Sequence, residues 1–143
     1  MVHIEDLGSE FDAPLDIVWK YLDSPPDHGP SHSDRRNVSA APDPSGGVRL
    51  SWEQNVQGNW VPVVNHVTMF PPVAMMVHSL EGPLAGSKFL MYYKPNGAKT
   101  GVNVIGDFQS KMIPANQLET TVRASLETAY NEDNAGLRRM ASK

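Results

Sequence analysis

The residues in this chain best suited to chemistry are two histidines in apolar segments, one of two adjacent tyrosines, and a set of methionines and aromatics. His66 and His78 fall in two largely apolar stretches separated by Pro71-Pro72. An imidazole with an ordinary pKa near 6.5 can take or give a proton at neutral pH if it faces a cavity; facing outward it makes an ordinary hydrogen bond. The stretch from Trp60 to Phe70 is apolar at both parities, so its period leaves either facing open. Tyr92 and Tyr93 are adjacent, and on a strand only one of them can point inward. Tyr93 shares parity with Phe89 and Met91, whereas Tyr92 shares it with Lys88 and Lys94. Tyr93 is therefore the candidate for an inward hydroxyl, either as an acid–base group or as a core aromatic with a polar tip. His66, His78 and Tyr93 are the candidate catalytic residues.

A second constellation is His28-x-x-x-His32-x-Asp34. Two histidines four apart share a face if the segment is helical, which is how metal ligands are often presented. Gly29 and Pro30 lie between them and argue against a regular helix, and no clear third ligand stands nearby. The expectation is a solvated loop with no metal ion. The chain has no cysteine, which removes disulfides, thiolate nucleophiles and thiolate metal sites together. There is no Gly-rich phosphate loop, no Gly-x-Ser-x-Gly elbow and no His-Glu-x-x-His, and no cofactor is expected.

Met69, Met75, Met76 and Met91 share the middle of the chain with Trp52, Trp60, Phe70, Phe89 and Phe108. Flexible thioethers and flat rings suit the wall of a cavity for an apolar molecule. They also suit a solid core, which composition by itself favours. Arg49 and Arg123 are the charged residues considered for such a cavity, and Arg49 falls on the polar face of its strand.

The elements that must position these groups follow from pattern. At 143 residues, with 40% hydrophobic and 20% charged, the chain is expected to form one globular domain over 1–143. A net charge of -4 offers no basic footprint for a phosphate backbone, so no nucleic-acid partner is expected. The first ten residues include Glu5, Asp6 and Glu10 and do not resemble a signal peptide. No run reaches the roughly 18 apolar residues of a membrane span. With the missing cysteines, this points to a soluble cytoplasmic protein.

His3 to Phe11 is expected as a strand. Asp12 is expected to cap a short helix with Pro14 in its first turn and Leu15, Val18, Trp19 and Leu22 on its apolar face. Pro25 to Ser33 reads as a loop with at most one helical turn. From Arg36 the period becomes two: Val48, Leu50, Trp52 and Val56 alternate with polar residues, and Gln57-Gly58-Asn59 turns into the next strand. Val73 to Glu81 follows the prolines. Asn96-Gly97 is expected at the centre of a hairpin that puts Phe89, Met91 and Tyr93 on the face of Val102, Val104 and Phe108. Asn116 and Glu119 resemble a capping box for a helix from about Ala115 to Met140. Its apolar stripe is Leu118, Val122, Leu126, Ala129 and Tyr130, weakened near Gly136. Hairpins in series make an antiparallel meander, and only the last helix is long enough to cover its apolar face.

This order resembles the START-like, Bet v 1-like superfamily often labelled SRPBCC, which includes polyketide cyclase/dehydrase-type proteins. The resemblance spans nearly the whole chain. It is carried by Glu10-Phe11-Asp12-Ala13-Pro14 with Val18-Trp19, by Gly101 to Phe108 as the last strand, and by Tyr130 with Gly136-Leu137-Arg138. It implies an α+β helix-grip fold, a curved antiparallel sheet wrapped around a long C-terminal helix, with a cavity between them. Trp52, Phe89, Met91, Tyr93, Val104 and Phe108 would wall that cavity on the sheet side, and Leu118, Val122 and Leu126 on the helix side. The implied function is binding of a small apolar or aromatic ligand. The alternative is a polyketide cyclase or dehydratase using His66, His78 or Tyr93, and a weaker third reading is a protein-interaction module. The arginine-lined pocket of some polyketide aromatases has no clear counterpart here. Fold alone does not choose among these.

Overall fold

In the computed structural model, which describes residues 1–142, the chain begins with β1 (Val2–Phe11), α1 (Leu15–Leu22) and a one-turn helix α2 (Pro25–His28). A 3-10 turn over Gly29–Ser31 follows, then β2 (Arg35–Pro42), β3 (Val48–Val56), β4 (Asn59–Phe70), β5 (Ala74–Glu81), β6 (Lys88–Asn96) and β7 (Lys99–Phe108). The long helix α3 (Ala115–Ala141) comes last. The strands form one antiparallel sheet in the order β1-β7-β6-β5-β4-β3-β2, so each strand from β2 to β7 neighbours the next in sequence and β1 adds beside β7. This is the expected α+β helix-grip architecture. No helix among the described residues is long and apolar enough to cross a membrane.

Turn chemistry sets the register. Gln57 and Gly58 join β3 to β4 with φ of 52° and 87°, the pair of positive values that matches strand twist. The β6–β7 hairpin lies one residue later than expected. Asn96 pairs with Lys99 inside the ladder, so Gly97-Ala98 is the two-residue loop, and only Gly97 takes positive φ (63°). A turn that needs positive φ at its first central residue alone selects the glycine there and frees Asn96, whose side chain donates to Glu10 Oε2 at 2.9 Å. The facing is as expected, with Tyr93 opposite Val102 and Met91 opposite Val104.

Both helix caps differ from the sequence expectation. Pro14 and Pro114 are the N-cap residues and neither start has a side-chain cap. Asp12 instead pairs with Arg138 at 3.2 Å, and its backbone N–H donates to Asn134 Oδ1 at 2.8 Å, tying the start of α1 to α3. Nor does Gly136 interrupt α3. A Cβ at that position would collide with Ser31 Oγ and Tyr21 Oη, so the missing side chain lets α3 approach α1 closely.

Opposed residues in an antiparallel pair share a face. The register therefore carries the inward face from Val102 and Val104 through Tyr93, Met91 and Phe89 to Met75 and Val77, then to Met69 and Val67, and on to Trp52 and Leu50. Irregularities between Asp6 and Ser9 in β1 and between Arg36 and Ser39 in β2 lie in the two edge strands, where such bulges add bend and twist. The buried core lies largely beneath β1, β7 and β6, where Phe11, Trp19, Tyr93 and Tyr130 meet ring to ring at 5.3–6.4 Å between centroids.

Candidate functional site

The expected cavity wall divides into a sealed part and an open part. Tyr93, Val104, Phe108, Leu118 and Val122 are at most 4% exposed and belong to the solid core with Phe11, Trp19 and Leu137. Trp52, Phe89, Met91 and Leu126 are half-buried, as are Met69, Met75 and Leu50 on the same concave face. The concave face of β3 to β6 is therefore an apolar groove that keeps accessible surface. Met76, Trp60 and Phe70 have the opposite parity and lie on the convex side. Two concavities of about 440 and 420 Å³ lie elsewhere: one on the convex side among Gly8, Lys94 and Asn103, the other between α1 and the end of α3 at Ile17 and Met140.

Polar atoms punctuate the groove side. Arg35 opens β2 opposite Gln54, and its guanidinium lies 4.6 Å from the Trp52 ring centroid. Burial lowers its pKa, against the opposing pull of Asp34, Asp133 and Glu132. Arg35 Nε, Asn65 Oδ1 and Tyr130 Oη are buried without a hydrogen-bond partner among the described residues. Asn65 shares the concave face, opposite Leu50 and Ser79. The Tyr93 hydroxyl is enclosed, and among the described residues it has the Met91 sulfur at 3.9 Å as a weak acceptor. Burial first, then the field of Asp133, raises its pKa, so it stays a neutral phenol.

His66 and His78 oppose each other across β4 and β5, at the parity that also holds Lys88. That parity is convex, so both rings turn away from the groove, and the His66 ring bonds the carbonyl oxygen of Gly46 at 2.6 Å. Arg49 pairs with Asp43 at 3.2 Å on the same convex side, and exposed Arg123 reaches the Glu5 carbonyl and Glu119.

The histidines of the expected loop have a different fate. α2 and the 3-10 turn carry the chain as a continuous coil, and His28 and His32 meet with their Nε2 atoms 3.1 Å apart. The carboxylate that joins the two rings is Asp133 of α3, not Asp34, whose carboxylate instead accepts from Gln54. Burial works against ionising Asp133, but its contacts with His28 and His32 outweigh that and hold its pKa well below the carboxylate range. Burial likewise opposes charge on His32, yet Asp133 and Glu132 move its pKa upward overall, against Arg35. Asp133 was legible in one respect. It stands three residues after Tyr130 and four before Leu137, on the apolar stripe of α3, and a charge buried there must have partners.

No family model matches the chain and no curated protein sequence matches it. Solved structures do. The START superfamily protein from Mycobacterium smegmatis superposes with a TM-score of 0.76 at 10% identity, covering 97% of this chain and 99% of that one. The Zhui aromatase/cyclase from Streptomyces sp. R1128 gives 0.71 at 15% identity, over 99% and 93% of the two chains. Ara h 8.0201 gives 0.72 at 11% identity, over 96% and 98%. Identities this low carry architecture and no activity. On sheet order, long terminal helix and these superpositions together, the chain has the START/Bet v 1-like helix-grip fold.

Proposed function

We propose that the protein binds a small apolar or aromatic molecule, bearing one acidic or carbonyl group, in the groove between the concave face of β3 to β6 and α3. The observation that carries this reading is the pairing of accessible Trp52, Phe89 and Met91 with Arg35 stacked on Trp52, its Nε buried and without a partner. A buried polar atom left unpaired costs about 1–3 kcal/mol, and a ligand oxygen at Arg35 would recover it. Apolar walls with one convergent polar group are the usual make-up of a small-molecule site. The similar structures include an aromatase/cyclase, which supports a small-molecule reading. A cyclase or dehydratase reading has less support, because His66 and His78 lie on the convex side and the Tyr93 hydroxyl is enclosed.

Native mass spectrometry of protein purified from cells tests the reading by looking for a retained small molecule. Uptake of an anionic, environment-sensitive apolar dye gives the mutational readout. Leu126→Trp fills the half-buried helix side of the groove and should abolish uptake while the thermal midpoint stays within a few degrees. Arg35→Met should weaken the anionic dye about tenfold more than a neutral one. If wild-type protein retains nothing and takes up no dye, the groove is not a binding site.

A further inference from the structure

The junction of α2, the 3-10 turn and α3 holds a cluster that ligand binding in the groove does not use. Nε2 of His28, Nε2 of His32 and Oδ1 of Asp133 form a triangle with sides of 3.1, 3.0 and 3.3 Å. Protons satisfy such a triangle poorly. Each ring nitrogen carries at most one proton. If both are protonated, two N–H groups point at each other across the 3.1 Å side. If one is protonated, the other nitrogen sets its lone pair against the carboxylate. A single cation between the three atoms accepts all three lone pairs at once.

The size is right for a first-row transition metal. Donors about 2.0–2.1 Å from a zinc-class ion stand about 3.3 Å apart in a tetrahedron. Donors that are neighbours in an octahedron at the same bond length stand about 3.0 Å apart. The surrounding contacts are those that orient metal ligands. Nδ1 of His32 lies 3.0 Å from Glu132 Oε1, which fixes the ring and leaves Nε2 to the metal. The Tyr21 hydroxyl donates to Asp133 Oδ1 at 2.9 Å. Of the nearby positive charges, Arg139 donates to Ser31 Oγ at 2.9 Å, and Arg35, whose field reaches His32, feels that of Asp34, Asp133 and Glu132 in return. Two imidazoles and one carboxylate are too nitrogen-rich for Ca²⁺ or Mg²⁺, which prefer oxygen.

We propose that His28, His32 and Asp133 are the three protein ligands of a divalent transition-metal ion of the zinc class. Three ligands leave a coordination position open, and the His28 side chain, 29% exposed, gives water a route to it. The ion joins the α2 segment to α3, two parts of the chain that the sequence separates widely. The site is independent of the groove reading, and its test uses metal alone.

Chelator-stripped full-length protein is titrated with Zn²⁺ by calorimetry and with Co²⁺ by visible absorption. One ion per chain is expected, with Co²⁺ bands whose intensity reports the coordination number, and with a thermal midpoint raised by roughly 5 °C or more in excess Zn²⁺. His28→Gln, at a half-buried position, should fold as the wild type and lose at least a hundredfold in Zn²⁺ affinity. Asp133→Asn should do the same where it folds, and Glu132→Gln should lose about tenfold. His3→Gln removes a histidine elsewhere that also lies beside two carboxylates, Glu5 and Asp107, and should leave Zn²⁺ binding unchanged. Absence of binding, binding unchanged in His28→Gln, or binding lost in His3→Gln overturns the proposal.

Discussion

The Tyr21 hydroxyl lies 2.9 Å from Asp133 Oδ1, joining the first long helix to the last across 112 residues of sequence. The same oxygen lies 2.6 Å from Ser31 Oγ, so one phenol holds three elements together. Tyr21 is fully buried, and water has no ready way to take the place of its hydroxyl. Tyr21→Phe should therefore destabilise the fold by about 1–3 kcal/mol, the cost of a buried carboxylate losing a donor. Urea unfolding with an unchanged m-value is the check, and a loss under about 0.5 kcal/mol would mean the contact is idle.

Gly136 should reverse the usual helix rule. In an exposed helix interior, glycine to alanine gains about 1 kcal/mol. Here the new methyl meets Tyr21 and Ser31, so Gly136→Ala should lower the thermal midpoint, with an overpacking cost of about 1–3 kcal/mol. A rise in the midpoint would show that α3 has room to move away.

The hairpin separates two adjacent residues. Gly97→Val places a β-branched side chain at φ of 63° and should cost at least about 1–2 kcal/mol. Asn96→Thr, in a ladder position, should cost well under 1 kcal/mol. Equal losses at both positions would return the turn to Asn96-Gly97.

His3 gives a pH signature. Its ring lies 2.9 Å from Asp107 and 3.3 Å from Glu5, and those two carboxylates, Asp107 first, raise its pKa above the usual 6.5. A pKa raised on folding adds stability that is fully present below the unfolded value and is lost as pH rises through the folded one. The wild type should thus lose a small increment of stability, from near pH 6.5 upward, that His3→Gln does not lose. Proton NMR titration of the His3 ring should place its midpoint above 6.5, and a midpoint at or below that value refutes the assignment.

Strand and helix periods made the sheet, the terminal helix and the shared face of Tyr93 and Val102 readable in advance, because burial on one side leaves a parity trace. β4 left no such trace, being apolar at both parities. Its facing came only from pairing Val67 with Val77, which turned His66 and His78 outward. Arg35 was missed because a charge opening an otherwise exposed edge strand looks like surface, and only the fold lays it over Trp52. Asp133 sat inside a polar run that read as a weak patch of helix. Gly29 and Pro30 disguised its partners by suggesting a loop where the chain coils continuously. The half-buried state of Trp52 against the full burial of Val122 depends on where α3 crosses the sheet, and no local pattern carries that information.

The pairing of β1 with β7 sets an order of events. Val2 lies opposite Phe108 and Phe11 opposite Thr100, so β1 cannot find its partner until about a hundred further residues have been made. At about 5–20 residues per second, β1 waits roughly 5–20 s for its partner to be made. Throughout that interval the β2 to β6 meander can assemble hairpin by hairpin, while β1 drifts as an unpaired segment with Ile4 and Phe11 uncovered. Contacts of such sequence separation slow folding and leave strand edges bare. Closure of the sheet by β1 must therefore await β7, and until then Ile4 and Phe11 lack their native cover.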